Sequence, residues 1–340
     1  MPPESSVPAP SLVMAIETSC DETAVAILSG QHELLAGEVA SQVALHQPYG
    51  GVVPEVASRS HLTQLKPLIT RALSAAGISI GDIGLFAATS GPGLATSLML
   101  GVSTAKGLAL GLRKPWLAVN HLEGHLLSPF FGSERGVEPC IALIVSGGHT
   151  LLVKVEDVGK YKVLGRTRDD AAGEAFDKVG KLLKLPYPAG PQIDKLSVGG
   201  DRSRFDFPRS MLHSGDWNFS FSGLKTSVRY MLPKLEGENI CDICASFQEA
   251  IVDVLVGKTI AAALAENQRV ITVSGGVSCN TRLRQRFQQA CDKHGIRLLL
   301  AAPKLCTDNA SMIAYVAALK FACGESSPLE TDINPNLALV

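Results

Sequence analysis

Residues 119–130 read VNHLEGHLLSPF and set His121 and His125 four positions apart. On a helix, residues i and i+4 share a face, so both imidazoles can reach one metal ion. The same spacing also suits one buried and one exposed histidine that never meet. Glu123 lies two residues, or about 200°, from His121 on a helix, so it points away from any ion the histidines share. That excludes the metalloprotease arrangement, in which the glutamate adjoins the first histidine. Two histidines do not complete a site. The best third ligand is Asp308 in LCTDNASMIAYVAALKFA, at an expected helix start. Thr307 or Asp308 could equally be only the cap of that helix. A His–His–Asp set with open positions suits iron(II) or zinc and leaves room for a substrate oxygen.

Other acids could join such chemistry. Asp21 and Glu22 fall at the tip of an expected hairpin. They are either a solvated turn or, facing phosphate, groups that bind a metal-bridged phosphate or take a proton from a nucleophile. Asp177 in GEAFDKVGKLL and Asp194 in YPAGPQIDKL are either surface acids or hydrogen-bonding partners of a small polar ligand. His149, just after Ser146-Gly147-Gly148, either faces phosphate or is structural.

The elements that must carry these groups come in two sets. LVMAIETSCDETAVAIL (12–28) and CIALIVSGGHTLLVKV (140–155) each read as apolar strand, polar turn, apolar strand. Each is followed by a strand, a glycine turn and a helix, with Ser90-Gly91-Pro92-Gly93 in the first half and Ser274-Gly275-Gly276 in the second. The repetition predicts two copies of one α/β domain facing each other across a cleft. Glycine turns before helices can bring backbone N–H groups close to phosphate oxygens. The plan resembles the actin, Hsp70 and sugar-kinase (ASKHA) superfamily, in which duplicated RNase H-like domains clamp a nucleotide. The halves are unequal: 69 positions separate Asp21 from Ser90, whereas 128 separate Ser146 from Ser274. The surplus, around 166–235, is where substrate-specific chemistry is expected. On the residues alone, a nucleotide-dependent binding module of the Hsp70 kind and a sugar kinase stay open beside an enzyme using the metal.

Bulk properties narrow the setting. With 340 residues, 46% hydrophobic and 19% charged, the chain can bury the cores of two globular domains. A net charge of −1 gives no global basic field, so any nucleic-acid partner needs a local patch or a helper protein. The eight cysteines have no framework spacing, which suits a reducing cytoplasm. Cys241 and Cys244 form a lone CxxC within a helical apolar pattern and read as core thiols. MPPESSVPAP lacks the regions of a signal peptide and reads as a short disordered tail over 1–11. The apolar stretches are broken by Gly, Pro, Ser and Lys106, so no membrane span is expected.

Ten stretches then occur in one order: IETSCDET, YGGVVPEVASR, GPGL, HLEGH, VSGGHT, DDAAGEAFDKV, YPAGP, FSFSGLKT, GGVSCN and CTDNASMIAY. In these the chain resembles the tRNA N6-adenosine threonylcarbamoyltransferase family of the bacterial TsaD type. The resemblance implies transfer of a threonylcarbamoyl group from threonylcarbamoyl-adenylate to the N6 amine of the adenosine 3′ of the anticodon, in tRNAs reading ANN codons, with release of AMP. It implies metal ligands at His121, His125 and Asp308, with iron(II) ahead of zinc. Substrate contacts fall on Ile144, Val145, Ser146, Gly147, Gly148, Asp177, Gly190, Asp194 and Asn280. The essential hairpin acid falls on Asp21, with Glu22 beside it. A TsaB-like paralogue and a TsaE-like ATPase are the implied partners. The implied layout is a first domain over 12–136, joined by a C-terminal helix near 309–324, and a second over 137–308. The chain departs from the family pattern at Asn120, where many members carry another histidine, and at Ala189, where YPGGP is usual. It also lacks a basic-aromatic tail, so the C-terminus is assigned no tRNA contact.

Overall fold

The computed structural model describes residues 12–234 and 239–340; the tail expected over 1–11 lies outside them. The chain divides into two compact units, residues 1–137 with 308–340, and residues 138–307. In the first unit the order is β1 (Leu12–Glu17), β2 (Glu22–Ser29), β3 (Glu33–Ser41), α1 (Val43–His46), α2 (Pro54–Ala76), β4 (Leu85–Gly91), α3 (Ala95–Leu112), β5 (Trp116–Asn120) and α4 (His121–Leu127). The second unit runs β6 (Cys140–Val145), β7 (Thr150–Asp157), β8 (Lys160–Arg166), α5 (Ala172–Leu182), α6 (Ala189–Ser197), α7 (Ser222–Met231), α8 (Ile240–Ala265), β9 (Val270–Ser274), α9 (Thr281–His294), β10 (Arg297–Leu300) and α10 (Pro303–Cys306). The chain returns to the first unit with α11 (Ala310–Ala322).

The duplication read from the sequence is real. The first sheet has the order β3-β2-β1-β4-β5 and the second β8-β7-β6-β9-β10, strand for strand the same. In each, the opening hairpin is antiparallel, β1 with β2 and β6 with β7. In each, the first strand then pairs in parallel with the strand that ends in the glycine turn.

The central strands read as nearly continuous apolar runs because both of their faces are covered. Met14, Ile16, Val25, Ile27, Phe86 and Ala88 pack with Leu65 and Leu68 of α2 and Val102 and Ala105 of α3. The alternate residues, Val13, Ala15, Ala24 and Ala26, are equally buried, and α11 packs on those strands. In the second unit α8 runs through the core, with Phe247, Ile251 and Leu255 in one cluster with Ile141, Leu143 and Val273 of the sheet. Cys244 is buried there and Cys241 half-buried. One helix among the described residues, α3, is long and apolar enough to cross a membrane; it lies on β4 and α2, with Leu98, Val102 and Ala109 buried.

The glycine turns have an internal reason to be glycine. A Cβ on Gly93 would sit 2.5 Å from the Ser19 carbonyl oxygen, so this turn presses on the backbone just before the first hairpin tip. Gly275 adopts φ of +88° and its missing Cβ would strike the Val145 carbonyl. Beside it, Gly276 opens onto free space. Gly275→Ala should therefore lower stability by about 1–3 kcal/mol, while Gly276→Ala should stay within about 0.5 kcal/mol. Thermal unfolding of the two variants checks this, and equal midpoints would contradict the close approach.

Candidate metal centre

His121 begins α4 directly after β5, so the helix starts where a buried strand ends. Asn120 caps it, its Oδ1 accepting from the Leu122 N–H at 2.8 Å. Glycine at 124 lets the helix pack against Ile313 and Met312 of α11, whose side chains would meet a Cβ there. Glu123 faces the same way, buried and 3.3 Å from Lys320 Nζ on α11, as its angular offset from His121 requires. Asp308 stands two residues before α11, and the cap of that helix is Asn309, which accepts from the Met312 N–H at 2.9 Å. Capping therefore does not account for Asp308.

The two imidazoles and the carboxylate converge. The rings meet edge to face with centroids 4.8 Å apart. Asp308 Oδ1 lies 3.1 Å from His125 Nε2 and 3.5 Å from His121 Nε2. One ligand atom from each residue falls within 4.8 Å of the others, so the group could hold one metal ion.

Glu17 completes the arrangement, and sequence reasoning passed over it. At the end of β1 and fully buried, it places Oε2 3.0 Å from His121 Nδ1. Its carboxylate also accepts from the Thr89 hydroxyl at 2.6 Å and from the Ser19 N–H. A carboxylate only accepts, so His121 carries a proton on Nδ1 and faces Asp308 and His125 with Nε2, the nitrogen that would give up its own proton to bind a metal. The signal was present in IETSCDET as an acid closing an otherwise apolar strand. Burial disfavours both charges, yet each partner holds the other ionised. The carboxylates of Asp308 and Glu17 outweigh burial and push His121 up to about 9. Burial would raise Glu17, and the charge and hydrogen bond of His121 overcome it and keep Glu17 below its ordinary value. His125 Nδ1 is buried without a hydrogen-bond partner among the described residues.

Asp21 and Glu22 do stand at the tip of the first hairpin, half-buried rather than solvated. Burial, then the neighbouring charges of Asp308 and Asp21, push Glu22 up to about 10. A protonated Glu22 can donate a hydrogen bond as well as accept one.

The remaining predicted residues belong to the second unit. Ile144 and Val145 are fully buried in β6, between β7 and β9, whereas Gly147 and Gly148 are exposed and open. The Ser146 hydroxyl accepts from the His149 N–H at 3.1 Å and closes that hairpin turn. Asn280 caps α9 and donates to Gln248 Oε1 at 2.6 Å. Asp194 receives the Thr281 N–H and hydroxyl at 3.0 and 2.8 Å, and Asp177 receives the Ala189 N–H at 2.8 Å. Gly190 follows at the second position of α6. These residues thus hold the loops and helix starts of their unit in place.

Comparison with known proteins decides the family. The model for TsaD, tRNA N6-adenosine threonylcarbamoyltransferase, matches residues 33–315. The chain belongs to this family of transferases. A relative of that name from Geotalea uraniireducens is 52% identical over 308 residues, covering 89% of each chain. Another, from Geobacter sulfurreducens, is 47% identical over 96% of this chain and 97% of its own. Among solved structures, component A of the Acidaminococcus fermentans (R)-2-hydroxyglutaryl-CoA dehydratase matches with a TM-score of 0.56 at 16% identity, over 92% of this chain and 99% of its own. HypF from T. kodakarensis matches with a TM-score of 0.62 at 13% identity, over 93% and 50%. At such identities the likeness is one of fold, and it bears out the duplicated ASKHA architecture.

The geometry makes Glu17 the partner that orients His121. Glu17→Gln should weaken metal binding about 10- to 100-fold, and His125→Ala should remove it. Elemental analysis after dialysis against graded metal checks both, and undiminished metal in His125→Ala would rule out the centre.

Proposed function

We propose that this protein forms threonylcarbamoyl adenosine in tRNA, moving the threonylcarbamoyl group from threonylcarbamoyl-adenylate to the N6 amine of the adenosine 3′ of the anticodon in tRNAs reading ANN codons. The observation that carries the reading is a family match across most of the chain, coinciding with the convergence of His121, His125 and Asp308. Those three residues would hold one divalent ion, iron(II) before zinc, which supplies Lewis acidity toward an oxygen-rich donor.

The acceptor is a weak nucleophile, so the donor has to arrive activated, and a carbamoyl–phosphate anhydride meets that need. The N6 nitrogen attacks the carbamoyl carbon, a C–N bond forms, and the C–O bond to phosphate breaks with its electron pair leaving on AMP. Asp21 takes the proton released by the amine. Protonated Glu22 beside it donates to an oxygen of the donor. In the second unit, Ile144, Val145, Ser146, Gly147 and Gly148, together with Asp177, Gly190, Asp194 and Asn280, are the proposed donor contacts. Iron over zinc, a TsaB-like paralogue and a TsaE-like ATPase as partners, and a cytoplasmic setting all rest on the family resemblance. A near-neutral chain has no strong tRNA field of its own, which favours a helper subunit for repeated turnover.

Given preformed threonylcarbamoyl-adenylate and unmodified tRNA, the protein should produce threonylcarbamoyl adenosine and AMP, read by nucleoside mass spectrometry. ATP, threonine and bicarbonate alone should yield none. Asp21→Ala should retain fold and metal while losing most turnover. Absence of the modified nucleoside even with partner proteins supplied would overturn the reading.

A further inference from the structure

Behind the first hairpin tip lies a buried polar chain that the metal centre does not use. His61 of α2 is fully buried, and its Nε2 lies 2.9 Å from the Cys20 carbonyl oxygen. A carbonyl only accepts, so Nε2 carries the ring proton and Nδ1 is an acceptor. The Thr23 hydroxyl donates to that Nδ1 at 2.8 Å, with the Gln42 side-chain amide at 3.2 Å. The direction of the chain is fixed at its far end as well. His46 Nδ1 accepts from the Val53 N–H at 3.2 Å, so its Nε2 donates to Gln42 Oε1 at 3.3 Å and turns the Gln42 amide nitrogen toward His61. The Gln42 backbone N–H meanwhile donates to the Asp21 carbonyl at 3.0 Å.

Cys20 and Thr23 are the residues that bracket Asp21 and Glu22. One imidazole therefore grips both sides of the turn that presents the acid, and Gln42 grips the acid's own backbone. We infer that His61 is a positioning residue for Asp21, fixing the hairpin tip so that the Asp21 carboxylate is held where the attacking amine releases its proton. Burial lowers the His61 pKa, so the ring stays neutral and keeps one donor and one acceptor across the physiological range. A protonated ring would lose the acceptor that holds Thr23. Gln42, His46 and Thr23 then set the tautomer, and the donor reaches Cys20 only while Nδ1 is occupied as an acceptor. The inference rests on the proposed role of Asp21.

A buried histidine that merely supports the fold would not act through Asp21, and a double-mutant cycle separates the two cases. Full-length wild type, Asp21→Asn, His61→Ala and the double variant are compared in single-turnover and steady-state transfer from preformed threonylcarbamoyl-adenylate to unmodified tRNA, with metal content measured alongside. His61→Ala should lower kcat about 10- to 100-fold, leave the KM for the donor and the metal content unchanged, and make Asp21→Asn no slower when combined with it. Retained kcat in His61→Ala, or a loss that multiplies with that of Asp21→Asn, overturns the inference. Should His61→Ala not fold, Thr23→Val removes the hydroxyl on the same ring at nearly constant shape and is held to the same outcomes. Full turnover in Asp21→Asn would instead refute the role of Asp21, whereas an inactive Asp21→Asn beside a fully active His61→Ala refutes only the role of His61.

Discussion

A carboxylate at the end of the central strand of the first sheet governs the arrangement around it. Glu17 is wholly removed from water, a position that costs several kcal/mol unless the charge is paired and hydrogen-bonded. Its oxygens are met by His121, the Thr89 hydroxyl and the Ser19 N–H. The three partners come from β5's far end, β4 and the hairpin turn, so satisfying one charge fixes the relative placement of three segments. The pairing also dictates which nitrogen of His121 faces Asp308 and His125. Removing either partner would leave the other buried and unpaired, which makes the pair costly to break even where its net stabilisation is small. A merely structural buried pair would not need its histidine to present a second nitrogen to an aspartate and another histidine.

The duplicated topology explains how candidate ligands distant in sequence come together. Within each sheet the fifth strand is where the chain leaves: β5 runs straight into His121, and β10 leads through α10 to Asp308. The segments bearing these residues thus follow topologically equivalent strands, one ending its own unit's sheet, the other crossing back into the first unit. The hairpin tips have diverged in the same way. The first carries Asp21 and Glu22 above a clamp of buried histidines, while the second carries Ser146, Gly147 and Gly148 with open space beside the glycines. One copy has specialised in charge and the other in exposed backbone.

Much of this was legible in the sequence because the relevant signals are local. Strand–turn–strand runs at 12–28 and 140–155, and the glycine turns that follow, specify the repeat through hydrophobic patterning alone. The i, i+4 histidines and the angular exclusion of Glu123 follow from helical geometry. What stayed hidden depends on tertiary pairing. Glu17 reads as an ordinary strand end until His121 is brought to it, and His61 reads as one polar position on an amphipathic helix until the hairpin turn is laid over its ring. The cap at Asn309 rather than at its neighbours turns on backbone conformation one residue further along than the pattern resolves.

The glycines hold the most instructive divergence between pattern and structure. A glycine turn ahead of a helix is the usual sign of a phosphate cradle, yet Gly93 and Gly275 are first required by their own chain, against Ser19 and Val145. Ser19 adjoins the tip that bears Asp21, and Val145 adjoins Ser146. In both copies, then, a glycine just after the fourth strand lets the turn press directly on the backbone of the opening hairpin. Close packing of turn on turn gives those tips a firm base, and a ligand bound there would meet groups already positioned. Glycines that face open space, Gly147, Gly148 and Gly276, are under no such internal constraint. Their freedom from packing makes them, rather than Gly93 and Gly275, the positions at which a requirement for glycine would point to something outside the chain.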